Sequence, residues 1–207
     1  VYPDETNWEE GHFWENGAKV LVAKMPFLFA PDRYGKGMEN LYEMLHQAGV
    51  TTALDMGTGI FGDPVGEIAL IRSTAERVHP PTRLVLTPLI TDFLARKKTP
   101  EEALAEIETW REGNTELVAI KDHFKIMMDG AIFSGLSQYG FPGYKDGHEG
   151  IWMAPLSETE KWARFFWNQG FQIHAHTNGD KSAEALIGIV QRAQAETPRF
   201  DHRTTLE

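Results

Sequence analysis

Cysteine is absent from the 207-residue sequence. Its absence excludes disulfides, thiolate nucleophiles and cysteine-based zinc sites. A metal ion would therefore have to be held by His, Asp, Glu or Lys side chains. The lack of cysteine does not by itself identify the cellular compartment. We expect a cytoplasmic protein.

Positive charge is also scarce, with 20 Lys and Arg against 30 Asp and Glu and a formal net charge of −10. A nucleic-acid surface or an anionic membrane as the main partner would require clustered Lys and Arg side chains. We therefore expect a small-molecule substrate, and neither a nucleic acid nor a membrane as partner.

Long hydrophobic runs are missing as well. The longest near the start, VLVAKMPFLFAP, is interrupted by Lys24 and Pro26 and falls short of the roughly 20 apolar residues that a membrane-spanning helix needs. The opening stretch VYPDETNWEEGHF has no initiator Met and no features of a signal peptide. We expect the chain to begin within a longer protein.

From residue 37 onward, short apolar runs alternate with amphipathic segments that carry helix caps, which is typical of βα units and a parallel sheet. Asp63 precedes Pro64, and the pairs Thr99–Glu102 and Ser157–Glu160 have the spacing of a capping box. The pattern predicts parallel strands near 51–56, 83–89, 119–128 and 171–176, with HRTTLE at 202–207 beginning another.

The sequence predicts an irregular N-terminal segment over 1–36 and one α/β domain over 37–207. A closed (β/α)8 barrel typically needs about 250 residues. The alternation by itself leaves two folds open, an open doubly wound sheet or part of a barrel. The long connection at 131–155, rich in glycine and aromatics, predicts a functional lid or a disordered loop.

Two histidines stand one residue apart in FQIHAHTNGD at 171–180. On a strand, His174 and His176 share one face. They are either metal ligands or ordinary buried histidines, and the residues alone favour neither. We interpret the remaining histidines as surface or loop residues; these are His12, His46, His79, His123, His148 and His202.

Lys125 lies within the apolar strand segment FKIMMDG. A lysine there must extend to solvent or have its charge compensated. One interpretation is a salt bridge or an edge position. The other is a lysine of depressed pKa whose neutral amine takes up carbon dioxide and becomes a metal-bridging carbamate.

Several stretches together resemble the amidohydrolase superfamily, in the branch called amidohydrolase family 3, which includes N-substituted formamide deformylases and proteins labelled as exoenzyme regulators. FKIMMDG, FQIHAHTNGDKSAEALI and FDHRTTLE resemble three consecutive motifs of that family. GHFWENGA and LHQAGVTTALDMG resemble its earlier segments. The resemblance covers most of the chain, and it rests on the order and spacing of the motifs rather than on any single one.

The resemblance implies a metal-dependent hydrolase built on a (β/α)8 TIM barrel, of which this chain would supply about strands 2 to 6. By motif, Lys125 falls on the fourth strand and His176 on the fifth, both as metal ligands. The sixth-strand histidine is expected just after Glu207. The first-strand His-x-His and the eighth-strand Asp, which is the expected general base, are not found in this sequence.

The same resemblance suggests lesser roles for three residues. His174, one layer deeper on the same face, would support a metal ligand or serve in packing rather than bind the metal. Asp180 could orient His176, although we favour a cap on the following helix. Asp129 could touch substrate or hold the turn with Gly130.

We expect the parent protein to hydrolyse a C–N bond of amide or formamide type. It would use water activated by one or two divalent ions, with zinc as the expected ion, and Lys125 would be carboxylated in the complete enzyme. This chain alone is expected to be inactive. The alternatives are a non-catalytic barrel portion that acts as a binding or interaction module, or a complete small α/β protein. We expect the open sheet to be completed by another copy, by a separate chain or by residues 1–30.

Overall fold

The computed structural model describes residues 5–207 and contains two three-stranded parallel sheets together with a short antiparallel pair of strands. The chain divides into two compact units. One comprises the residues up to Pro88 together with Leu104–Lys121, and the other comprises Leu89–Ala103 and Asp122–Glu207. Each unit contains one of the parallel sheets.

The N-terminal part has more regular structure than its composition suggests. Strands β1 (Thr6–Asn7) and β2 (His12–Phe13) pair antiparallel, and helix α1 (Asn16–Val22) and a 3-10 turn (Pro26–Phe29) follow. Glu5 organises this segment, because its backbone carbonyl accepts a hydrogen bond from the Trp14 amide at 3.1 Å and its carboxylate accepts one from the Gly17 amide at 2.9 Å.

The structure thus has short regular elements in the described part of 1–36, where the sequence predicts an irregular segment. Residues 1–4 lie outside the described residues. The contacts of Glu5 join positions 9 and 12 residues apart, so they leave no local periodicity in the sequence. The proposed boundary at 37 also falls inside helix α2 (Pro31–Gln47).

In the first unit, strands β3 (Thr52–Thr58), β4 (Arg83–Pro88) and β5 (Val118–Ile120) pair in parallel in that order. Helix α3 (Pro64–Val78) begins as predicted, because Asp63 Oδ1 accepts a hydrogen bond from the Gly66 amide at 2.9 Å. Helix α4 (Ile90–Ala95), which belongs to the second unit, and helix α5 (Pro100–Arg111), which begins in it, follow β4 along the chain.

The predicted cap of α5 is confirmed. The Thr99 amide donates to Glu102 Oε2 at 2.8 Å, and the Glu102 amide donates to Thr99 Oγ1 at 3.3 Å. The similar prediction for Ser157 and Glu160 is wrong, since helix α6 (Leu156–Asn168) has Pro155 at its N-cap and makes no side-chain capping bond. Glu160 instead accepts two hydrogen bonds from Arg192.

In the second unit, strands β6 (His123–Met127), β7 (Gln172–His176) and β8 (Thr205–Leu206) form the other parallel sheet. Helices α6 and α7 (Asp180–Glu196) belong to the same unit. Phe124 and Phe166 stack with ring centroids 3.7 Å apart, so one face of β6 packs against α6. Because side chains alternate along a strand, His123 and Lys125 lie on the opposite, polar face.

The single strand predicted near 119–128 is divided in the structure. Asn114 ends β5, because its side-chain Nδ2 donates to the Ile120 carbonyl at 2.9 Å and its Oδ1 accepts from the Ile120 amide at 2.8 Å. The side-chain amide thus satisfies the two backbone groups that would otherwise be available to a neighbouring strand. The chain resumes as β6 at His123.

The parallel pairing predicted for the four strand regions is confirmed, and the fold is α/β. Within residues 5–207 neither three-stranded sheet closes into a barrel, so the assignment to part of a TIM barrel stays a prediction. Among the described helices, none is both long and apolar enough to cross a membrane.

Candidate functional site

The polar face of the β6–β7–β8 sheet brings together most of the residues that the sequence singles out. The register pairs Lys125 with His174 and Met127 with His176 on neighbouring strands, and it pairs His174 with Thr205 on β8. Paired residues in a parallel sheet point to the same face. Lys125, His174 and His176 therefore lie on one face, with His176 nearest the carboxyl end of its strand.

Lys125 is buried, with 5% of its surface exposed, and its Nζ forms a short ion pair with Glu207 Oε2. Burial acts to raise the pKa of the Glu207 carboxyl, but hydrogen bonds from Lys125 and His174 outweigh that effect and hold the pKa below its ordinary value. The salt-bridge interpretation of Lys125 is thus the arrangement that the structure contains.

His174 is engaged at both ring nitrogens. Its Nδ1 lies 3.0 Å from Glu207 Oε1 and 2.7 Å from Thr205 Oγ1, and its Nε2 lies 2.9 Å from His123 Nδ1. A buried imidazole with polar partners on both sides is a satisfied core group. The partners of His174 in this structure are His123, Thr205 and Glu207, and its support of a metal ligand stays a prediction.

His176 is half-buried at the end of β7, and its Nε2 lies 2.7 Å from Asn178 Nδ2. The same Asn178 amide donates to the Gly130 carbonyl at 3.0 Å. An amide nitrogen donates, so the contact is a hydrogen bond in the tautomer whose Nε2 is unprotonated, and the Nε2 lone pair is then engaged by Asn178. A metal ion at this nitrogen would have to take the place of the Asn178 contact.

Lys125 and His176 share a face but not a level of the sheet. Lys125 is level with His174, and His176 is two residues further along its strand, a step of about 6.6 Å. Across residues 5–207, no cluster of three or more His, Asp or Glu side chains is arranged to hold a metal ion. The described residues thus supply two candidate ligands and not a complete site.

Asp129 holds the turn region that follows the two strands. It is fully buried, and its carboxylate accepts hydrogen bonds from the amides of Gln138 at 2.8 Å, Asn178 at 3.0 Å and Gly179 at 2.9 Å. The structure therefore places it as an organiser of the loop, in contact with Asn178 beside His176. Of its two predicted roles, the structural one matches these contacts, although the partners are not Gly130.

Gly179 lies where the turn after β7 comes close to the loop after β6. A Cβ added at this position would lie 1.8 Å from the Gln138 carbonyl oxygen, a distance that real Cβ atoms do not reach. The glycine in the Asn-Gly-Asp sequence is therefore required by the close contact between the end of β7 and the loop after β6.

Asp180 does not cap α7, contrary to our preferred interpretation. The N-cap is Gly179, and Asp180 is the first residue of the helix. Its Oδ1 accepts a hydrogen bond from the Gly140 amide at 2.8 Å, and this bond is the main reason that the pKa of Asp180 is lowered. Asp180 thus fixes the loop to the start of α7 rather than orienting His176.

His148 anchors the same loop from its other end. Its Nε2 lies 2.7 Å from the Gly135 carbonyl and its Nδ1 lies 2.6 Å from Asp146 Oδ1. Both partners are acceptors, so the Gly135 carbonyl first and Asp146 second raise the pKa of His148 above its ordinary value of 6.5. The loop at 131–155 is thus tied down at several points, and its predicted role as a lid stays a prediction.

Sequence reasoning missed four contributors to this face: His123, Asn178, Thr205 and Glu207. His123 was interpreted as a surface or loop residue, but it lies on β6 and contacts His174. Its position two residues before Lys125 was the available signal, since that spacing places both on one face of a strand. Thr205 and Glu207 could be found only with the register of β8.

No family model and no curated protein matches this chain. The structure is similar to an uncharacterized metal-dependent hydrolase from Pyrococcus horikoshii OT3, with a TM-score of 0.65 and 14% identity over 93% of this chain and 37% of that one. It is also similar to an uncharacterized metal-dependent hydrolase from Pyrococcus furiosus, with a TM-score of 0.60 and 15% identity over 83% and 34% of the two chains.

At this level of identity the similarity establishes the fold. The chain spans about a third of the length of the two solved structures that it matches. Its fold is therefore one that occurs as a portion of larger metal-dependent hydrolases.

Replacing Asp129 with Asn should destabilise the protein by about 1–3 kcal/mol, because an amide NH2 would face a buried backbone N–H that loses its acceptor. The measurement is chemical denaturation, together with amide hydrogen exchange at Gln138 and Gly179, which should become faster. Glu149→Gln, an exposed change in the same loop, should stay within about 0.5 kcal/mol. Unchanged exchange at both amides in Asp129→Asn would contradict the assigned role.

The loop should loosen as the pH rises. Since the folded pKa of His148 is raised above 6.5, its stabilising contribution is fully present below that ordinary value and is lost as the pH rises through the folded pKa. Two NMR quantities followed from acidic to alkaline pH should report the transition: amide protection relative to the intrinsic exchange rate, and the Tyr144 ring shifts. Tyr144 is a suitable probe because its ring stacks on that of His148, with ring centroids 3.9 Å apart. The variant His148→Gln should show no such transition; a transition of equal size would refute the assignment.

Proposed function

We propose that this chain is a portion of a metal-dependent hydrolase that cleaves a C–N bond of amide or formamide type in a small molecule. The observation that carries the proposal is the position of Lys125 and His176, which lie on one face of two adjacent parallel strands. The fold similarity to two metal-dependent hydrolases supports the reaction class. The choice of a C–N bond rests on the motif resemblance to amidohydrolase family 3.

The residues present fit a metal ion only in part. His176 fits by residue type and position, because a neutral imidazole is a common metal ligand, and Asn178 Nδ2 would have to release its Nε2. Lys125 does not fit as it stands, because an ammonium group paired with Glu207 has no lone pair to donate. Carboxylation of Lys125 in the complete enzyme would require this ion pair to open first.

A divalent ion, with zinc as the expected one, would supply an activated water and polarise the substrate carbonyl. The chain's own residues would do the positioning. Asp129 fixes the backbone of Asn178, and Asn178 in turn fixes the ring of His176. The remaining ligands and the general-base Asp are proposed to come from parts of the protein beyond these residues.

The second candidate function is a non-catalytic binding or interaction module with the same fold. It is favoured by the ion pair between Lys125 and Glu207, and by the lack of a three-donor metal cluster across the described part of the chain. Zinc binding and activity distinguish the two functions.

Zinc added to the purified 207-residue chain should shift the imidazole NMR signals of His176, and His176→Ala should abolish the remaining zinc-dependent shifts on this face. His46→Ala, which removes an exposed histidine of α2, is the matched control. The chain alone should not hydrolyse N-acyl or N-formyl compounds, whereas a form extended on both sides should do so, and His176→Ala should abolish that activity.

Zinc that leaves the His176 signals unmoved would exclude His176 as a ligand. An extended form that binds zinc but hydrolyses nothing would favour the binding module. Zinc-dependent turnover by the 207-residue chain, lost in His176→Ala, would show that the strands are wrongly assigned.

The outer edge of β8 supports a further proposal about assembly. Among residues 5–207, β8 pairs with β7 alone, and Leu206 on β8 and Ile187 on α7 are about half exposed beside each other in an apolar groove. Exposed strand edges with apolar neighbours tend to pair with another strand. We propose that a second copy or a separate chain covers this edge.

Sedimentation of the purified chain should therefore show a dimer or a larger assembly at micromolar concentration. Leu206→Arg should shift it toward monomer, because it places a charge in the groove. Leu41→Arg, which alters a comparably exposed leucine on α2, should leave it unchanged. A monomer at all concentrations would rule out self-association.

A further inference from the structure

A cavity of about 380 Å³ lies in the first unit, against the end of α1, the first turn of α2 and the first two turns of α3. Its volume falls in the range of about 300–1,000 Å³ that small-molecule sites occupy. Apolar side chains form part of the wall, including those of Val22, Phe61 and Leu70. A wall of this kind suits the hydrocarbon part of a ligand.

Two carboxylates and one phenol supply the polar part of the wall, from Asp63, Glu67 and Tyr34. Asp63 Oδ1 accepts a hydrogen bond from the Gly66 amide at 2.9 Å, and Glu67 Oε2 accepts one from the Gly59 amide at 2.7 Å. These bonds fix both acids in place. Among the described residues that line the cavity there is no Lys, Arg or His.

An anion is a poor fit for this cavity. The start of α3 carries roughly half a positive charge from the helix dipole, but Asp63 already caps it, with the Gly66 amide bound to its side chain and the Glu67 amide bound to its carbonyl at 3.0 Å. An added anion would meet two carboxylates. A cation would find both charge complementarity and aromatic surface from Tyr34 and Phe61.

Tyr34 acts as a neutral hydrogen-bonding group. Burial first, and then the negative charges of Glu67 and Asp55, raise the pKa of its hydroxyl above the ordinary value. The phenol therefore stays protonated at physiological pH, and its oxygen can accept a hydrogen bond from a ligand N–H group.

We propose that this cavity is a binding site for a small organic cation, with an ammonium group directed at Asp63, Glu67 and the Tyr34 hydroxyl, and an apolar body against Phe61 and Leu70. The site lies entirely within the first unit and is independent of the hydrolase proposal.

The test compares benzylamine, which is a cation at neutral pH, with benzyl alcohol, its neutral counterpart of similar shape. Calorimetry on the full chain should show benzylamine binding at least about tenfold more tightly, a difference of about 1.4 kcal/mol. NMR signals of Tyr34, Phe61 and Gly66 should shift on binding, and added salt should weaken the affinity.

Charge-only variants locate the interaction. Glu67→Gln and Asp63→Asn keep the oxygen that accepts the backbone hydrogen bond, and Asn remains a good N-cap, so the fold should persist while benzylamine affinity falls about fivefold to tenfold. Glu76→Gln, at an exposed position of α3, should leave the affinity unchanged. Leu70→Trp should block binding by filling the cavity, with helical content checked by circular dichroism.

Equal affinity for benzyl alcohol would reduce the cavity to an apolar space and overturn the proposal. The absence of binding by either probe would overturn it as well. So would unchanged benzylamine affinity in folded Glu67→Gln and Asp63→Asn.

Discussion

The candidate site depends on the carboxylate of Asp129. A buried negative charge is costly unless polar partners compensate it, and here three backbone amides do so. Two of these amides follow β7 and one belongs to the loop after β6. A single side chain therefore ties the carboxyl ends of two neighbouring strands to the loop, and the position of Asn178 beside His176 follows from it.

A second constraint is the charge balance on the polar face. Glu207 receives Lys125 at one oxygen and His174 at the other, so one carboxylate satisfies two buried basic groups on two different strands. The same contact occupies the Nζ of Lys125, so any other role of this lysine requires the ion pair with Glu207 to open.

The features that could be predicted from the sequence are those with a local cause. The cap at Asp63 and the capping box at Thr99 and Glu102 follow from short spacings, and the shared face of His174 and His176 follows from strand alternation. The features that could not be predicted depend on distant partners. Lys125 meets Glu207 from 82 residues away, and Asp129 meets Gly179 from 50 residues away.

Local signals also fail where a stronger local constraint competes. Ser157 has the spacing of a capping residue, but Pro155 already stands at the N-cap of α6 and Ser157 lies inside the helix. The sequence predicts one strand near 119–128, yet the Asn114 side chain pairs with Ile120 and divides it. In the first case the helix begins one residue before the expected cap, and in the second a side chain that satisfies the backbone ends the strand.

The Asn114 contact also has a consequence for the edge of the β3–β4–β5 sheet. In the β3–β4–β5 sheet, β5 is a terminal strand, and terminal strands offer backbone groups that a foreign chain can join. Asn114 occupies both the N–H and the carbonyl of Ile120. Another strand therefore finds neither group of this residue open for pairing at the sheet's edge.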